Sequence, residues 1–181
     1  PGSSTYPGAS AHPPFAGTPT IGGIVVDYYG TTVGPYPDNL EMYAGGNLTL
    51  ASATPSTYYF TGLAAGGVLT VDAPVDSMGD VGMVAGITPE KLDQFKTVDS
   101  VTDLASFLVS SGGTININAP ISAGYSVAMM AGDINLTGGG ASIVASYGDI
   151  YGIVGGNITL SNGAFMQAGY DVYLGLLGAT S

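Results

Sequence analysis

The chain has 181 residues, enough for one domain with a sizeable core; 45% of them are hydrophobic and only 8% charged. Thirteen acidic residues stand against two lysines, a net charge of −11. That balance argues against nucleic acid and anionic membrane surfaces, because phosphate contacts need Lys and Arg. With no cysteine there is no disulfide framework, zinc thiolate or thiol nucleophile, so stability must come from packing and repetition.

Mean hydropathy is +0.36, and typical soluble domains carry roughly 25% charged residues. Few charges therefore hold this chain apart from its neighbours, which suits a protein that associates. No apolar run approaches the roughly 20 residues that span a bilayer. No secretory signal is visible and the chain begins at Pro1, so a processed chain or a fragment is expected.

Residues 1–22 carry five prolines among many Gly, Ser and Thr. They lack apolar periodicity and read as an extended tail that docks on its own domain or on a neighbour. Fully extended, the tail would reach roughly 70 Å. Residues 23–181 read as one domain. Within it, residues 24–45 are expected to form an irregular first coil plus a loop.

Repetition then takes over. Gly67–Gly86 and Gly113–Gly132 align without a gap and share seven of twenty positions, including the Ala-Pro pair and the Val, Met and Ala near the end. Each unit opens with Gly-x-Φ-x-Φ, where Φ is aliphatic. The opening recurs at Gly46, Gly67, Gly113, Gly132 and Gly156, spaced 19 to 24 residues apart where nothing is inserted. A second short strand follows at a fixed place, as in Gly79-Asp-Val81-Gly-Met83 and Tyr170-Asp-Val172-Tyr-Leu174. No stretch between them is helical enough to make βαβ crossovers. A unit of about 20 residues built from short strands alone is one coil of a parallel β-helix.

Alternation across a strand sends Leu48, Leu50, Leu69, Val71, Ile115, Ile117, Ile134, Leu136, Ile158 and Leu160 inward as the solenoid core. Thr49, Thr70, Asn116, Asn135 and Thr159 form an outward ladder. One segment, about 87–112, departs from the pattern. Thr88 caps, Pro89 starts a helix, and Leu92, Phe95, Leu104, Phe107 and Leu108 fall at helical spacing, predicting a helical excursion against one flank.

Chemistry-bearing residues are sparse. His12 is the single histidine and sits in the tail, so no Ser-His-Asp or metal-His constellation can be assembled. Asp80, Asp133 and Asp149 follow glycines at coil corners, and Asp171 follows Tyr170 at another. They read as caps for their own turn backbone rather than calcium ligands. Carbohydrate-active β-helices need clustered acids with a basic partner on adjacent coils, and here the ladder is Thr and Asn. No enzyme activity, catalytic residue, metal or cofactor is expected. Tyr125, Tyr147 and Tyr170 recur at 22 and 23 residues and would stack as like residues do in any solenoid. Three Asn-x-Thr sequons, at Asn47, Asn135 and Asn157, belong to the repeat itself.

The Gly-x-Ile-x-Leu and Gly-Asp-Ile-Asn-Leu units, with Ala-Pro-Ile after the strand, resemble the repeats of filamentous haemagglutinin-type exoproteins of two-partner secretion. The likeness covers about Gly46–Gly178 outside the excursion. It implies a right-handed β-helix, a cell-surface or released location, and roles in adhesion, biofilm or fibre building.

The expected architecture is therefore an all-β, parallel β-solenoid with a helical excursion and an extended N-terminal tail. The expected function is a structural subunit of an extracellular filament, a homopolymer of solenoids stacked head to tail. Inter-subunit contacts fall to Pro7, Pro13, Pro14 and Phe15 of the tail and to Tyr170, Val172, Leu174, Leu176 and Leu177 at the other end. The alternative is an adhesin or glycan-binding segment of a larger exoprotein, with host or matrix glycans as ligands.

Overall fold

The structure is a computed structural model and describes residues 20–21, 24–29, 38–88 and 112–177. The helical excursion and the tail contacts Pro7, Pro13, Pro14 and Phe15 fall outside these residues. So does the whole segment between Tyr29 and Asp38.

Two strands, β1 (Thr20–Ile21) and β2 (Ile24–Tyr29), precede the first coil, which holds β3 (Asn39–Ala44) and β4 (Leu48–Leu50). The next coil is β5 (Phe60–Ala65), β6 (Val68–Val71) and β7 (Val75–Ser77). Then come β8 (Asp80–Ala85), β9 (Thr114–Ile117) and β10 (Pro120–Ala123), followed by β11 (Val127–Ala131), β12 (Asp133–Leu136) and β13 (Ser142–Ala145). The last coil is β14 (Ile150–Val154), β15 (Ile158–Leu160) and β16 (Phe165–Ala168), and β17 (Val172–Leu176) begins another.

Three sheets result, and each collects one strand from successive coils. The long face runs β1-β2-β3-β5-β8-β11-β14-β17, a second face runs β4-β6-β9-β12-β15, and a third runs β7-β10-β13-β16. From β3 onward every pairing is parallel and in register, like on like: Leu69 sits opposite Ile115, Ile134 opposite Ile158, Met83 opposite Met129. This is a parallel β-solenoid of about five turns. At roughly 4.8 Å per coil, the six parallel strands of the long face span roughly 24 Å.

The sequence dictates the winding. Strands of three to six residues alternate apolar and small polar side chains, and the apolar set of all three faces meets in one interior. Ile115, Ile117, Ile134, Leu136, Ile121, Ile143 and Val127 are fully buried there. Such a row cannot be shielded by one coil alone, so each coil is stabilised by the coils above and below it.

The N-terminal region differs from expectation. Residues 24–29 and 39–44 are not an irregular coil: β2 pairs antiparallel with β3 over six residues, Ile24 to Ala44 through Tyr29 to Asn39. β1 adds to the outer edge of β2. A hairpin therefore covers the first edge of the long face. Apolar alternation in Ile24–Tyr29 signals a strand, but not that its direction reverses relative to the repeat.

The excursion leaves and rejoins the solenoid at two glycines in the left-handed region, Gly86 (φ 86°) and Gly112 (φ 65°). The backbone of Gly113 lies against Ala85 and Gly86. The inserted chain thus starts and ends at one point on the solenoid, between β8 and β9, without adding a coil.

Candidate functional site

The two ends of the solenoid differ. At the first coil the inward residues Leu40, Ala44, Leu48 and Leu50 are buried, Leu48 to 1% exposure, and Met42 between them is half-buried against the core. At the last coil the equivalent residues lie open: Leu160 is 43% exposed, Val172 42%, Leu174 45% and Leu176 54%. Register makes the equivalence explicit. Val172, Leu174 and Leu176 lie beneath Ile150, Gly152 and Val154, and Leu160 lies beneath the fully buried Leu136. Ile158, Met166 and Ala168 complete this floor and are half-buried against the core above.

Of the core residues read from the sequence, Leu48, Leu50, Leu69, Val71, Ile115, Ile117, Ile134 and Leu136 are buried, Ile158 is partly buried and Leu160 is exposed. Leu160 points inward as expected, but among the described residues no strand pairs beyond β15, and at that level its side chain reaches solvent.

The residues assigned to inter-subunit contact divide in the same way. Val172, Leu174 and Leu176 share the open floor. Tyr170 stands at a corner, three-quarters exposed. Leu177 does not belong to the floor. It packs with Ile87, Val84, Met130 and Ile153 on the outer side of the long face, because side chains alternate and Leu177 follows Leu176 onto the opposite surface.

Polar groups at the corners show the same interrupted repetition. Asp80 Oδ1 accepts from the Ser126 backbone N–H (2.8 Å), Ser126 Oγ from that of Asp149 (3.2 Å), and Asp149 Oδ1 from that of Asp171 (3.0 Å). At another corner Asp133 Oδ1 accepts from the Asn157 N–H at 2.7 Å. The sequence predicts that these aspartates cap their own turns; instead they cap the backbone of the following coil. The reason is geometric: stacking brings the next coil's N–H within reach of an outward carboxylate. Asp171 ends the series, and among the described residues no backbone N–H reaches its Oδ1.

The final turn of chain described, residues 155–177 with β15, β16 and β17, contains one charged residue, Asp171. Among the described residues the outer edges of β15, β16 and β17 pair with no further strand, and apart from Asp171 their flanking side chains are neutral. Edge strands of this kind pair readily with further chain, since charge is the usual means of preventing it.

The outward ladder lies where alternation places it. Thr49, Thr70, Asn116, Asn135 and Thr159 are direct neighbours in successive coils. Asn135 Nδ2 donates to Asn116 Oδ1 at 3.1 Å, so the amides are partly committed to one another. Tyr125, Tyr147 and Tyr170 occupy equivalent corners and are well exposed, but they do not stack as rings. The stacked pair is Tyr151 and Tyr173, with centroids 5.3 Å apart and planes 8° from parallel. They are opposed in β14 and β17, a pairing that the 22-residue recurrence of Asp-x-Tyr in Asp149-Ile-Tyr and Asp171-Val-Tyr signals.

Comparison with protein-family models, with curated proteins and with solved structures found no match.

Proposed function

We propose that this chain is a structural subunit of an extracellular filament in which solenoids stack end to end. One observation carries the reading: an apolar interior largely covered at its first coil, where Met42 is half-buried, and open at its last. Seven inward residues, Ile158, Leu160, Met166, Ala168, Val172, Leu174 and Leu176, form a floor whose pattern repeats that of the buried coils above. The large side chains of the floor are about half-exposed, so covering the remainder contributes about 1 kcal/mol each and favours association.

A second copy fits the floor for three reasons. Its β4 would arrive with the parallel polarity and the aliphatic spacing of Leu48 and Leu50 that β15 repeats, while its β1–β2 hairpin faces the long face. Among the described residues β4 pairs with β6 alone, leaving a strand edge at the covered end to meet the edge of β15. The single charge of residues 155–177 offers no repulsion. A contact between unlike ends does not close on itself and builds a fibre. Because the first coil is already largely covered, burial of the floor falls to the neighbour's N-terminal region, with the tail residues Pro7, Pro13, Pro14 and Phe15 lying across the joint as a staple.

The resemblance to filamentous haemagglutinin-type repeats supports a secreted location and a structural or adhesive role. Electron microscopy of the purified protein tests the proposal. Long rods of constant diameter are expected, and deletion of residues 1–22 should shorten or weaken them. Isolated short particles at high concentration would overturn it, and glycan binding by such particles would favour the adhesin reading.

A further inference from the structure

Two tyrosines near the open end carry an arrangement that the stacking proposal does not use. Tyr151 and Tyr173 lie face to face in adjacent coils, 5.3 Å between centroids and 8° from parallel. Each phenol donates its hydrogen bond to its own carboxylate: Tyr151 to Asp149 Oδ2 at 2.6 Å, and Tyr173 to Asp171 Oδ2 at 3.0 Å. The other oxygen of Asp149 is fixed by the Asp171 backbone N–H at 3.0 Å, so this acceptor is held in place. Both rings reach solvent, at 40% and 52% exposure.

We infer that Tyr151 and Tyr173 form an oxidative cross-linking site, coupled to dityrosine by a peroxidase acting with hydrogen peroxide. A phenol is oxidised by one electron most readily when its proton can leave at the same time to a base already in hydrogen-bond contact. Here each ring has such a base. Each tyrosine gives one electron to the oxidant and its phenolic proton to Asp149 or Asp171, leaving two neutral phenoxyl radicals. A carbon–carbon bond forms between ring positions ortho to the oxygens, and the hydrogens on those carbons move to the oxygens as aromaticity returns. Two electrons and two protons leave the pair and, with one hydrogen peroxide, make two waters. The parallel stack keeps the radicals together, so coupling within the pair outruns diffusion to other partners.

The position gives the bond a purpose. It would tie β17, which has its inner face uncovered, to β14 in the coil above. The chain has no cysteine for a disulfide staple. The inference does not depend on filament assembly, because both rings belong to one chain.

Peroxidase and hydrogen peroxide are applied to the full chain at high dilution, followed by dityrosine fluorescence and peptide mapping by mass spectrometry. A single intramolecular product joining Tyr151 to Tyr173, lighter by two hydrogens, is expected. Tyr173→Phe should abolish it with the β spectrum unchanged, and Asp149→Asn with Asp171→Asn should slow it about tenfold or more. Tyr125→Phe, at a more exposed ring with no carboxylate acceptor, should change nothing. Products spread over the exposed tyrosines, products only between molecules, or no dityrosine at all would overturn the inference.

Discussion

Val81 and Val127 are direct neighbours in parallel register, although the chain between their strands is as long as two coils. The same 46-residue step joins Asp80 to Ser126 and Asp72 to Asn118. Elsewhere adjacent coils are joined by steps of 19 to 24 residues. The surplus is the excursion, which interrupts a single coil and closes at Gly86 and Gly113.

Removing it should therefore leave the solenoid standing. A chain in which residues 89–111 are replaced by a short Gly-Ser link should keep its β spectrum and cooperative melting, since the ends to be joined already touch and loop length carries only a small entropic weight. Loss of folded structure by circular dichroism would show that the excursion holds the coils together.

How much of this was legible beforehand depended on repetition. Leu69, Ile115 and Ile134 announced the interior, because a side chain that must stack on its equivalent is written into the chain once per coil. The gap-free alignment of Gly67–Gly86 with Gly113–Gly132 even gave the register across the excursion, as the Val81–Val127 pair confirms. Features that occur once were not legible in this way. The reversed direction of β2 rests on backbone hydrogen bonds that leave no periodic trace. The inward fate of Leu160 was readable, but its exposure was not, since exposure depends on what lies beyond the coil. Tyr151 and Tyr173 were visible as parts of strands; their stacking became clear only when β14 and β17 were opposed.

Core substitutions should divide by level along the axis. Ile134→Ala removes a fully buried side chain flanked by Ile115 and Ile158, and should cost about 2–5 kcal/mol. Leu160→Ala, on the open floor, should cost less than half as much in the monomer. Thermal or denaturant unfolding of dilute protein compares them, and equal losses would mean that the last coil is covered in the monomer.

One stretch of interior is polar. Thr57 Oγ1 donates to Ser77 Oγ and, its one proton so used, accepts from Thr61 Oγ1, both at 2.8 Å, with all three residues buried. Ser77 Oγ also accepts from the Gly79 N–H at 3.2 Å. Thr57→Val keeps the volume and removes the shared hydroxyl, leaving Thr61 and Ser77 short of a partner. A loss of about 1–3 kcal/mol is expected on unfolding; a neutral result would mean that the two hydroxyls satisfy each other.

The phenols of Tyr151 and Tyr173 are held above the ordinary 10.0, chiefly by the hydrogen bonds to Asp149 and Asp171 that favour the protonated form. Their folded values exceed the unfolded ones. The coupling therefore contributes stability that is fully present below pH 10.0 and is lost as pH rises through the folded values. Absorbance titration should find two tyrosines ionising late. Asp149→Asn should return Tyr151 towards the ordinary value, and an unchanged titration would contradict the hydrogen-bonded pairing.

Leu174→Asp tests the open floor most directly. At 45% exposure the carboxylate stays hydrated in the monomer, whereas a stacked neighbour would bury it unpaired. Sedimentation across a concentration series should show the unsubstituted chain assembling into large, elongated species. The variant, with an unchanged β spectrum, should remain monomeric to concentrations at least about tenfold higher. Assembly of both chains at the same concentration, or of neither at any concentration, would contradict the account.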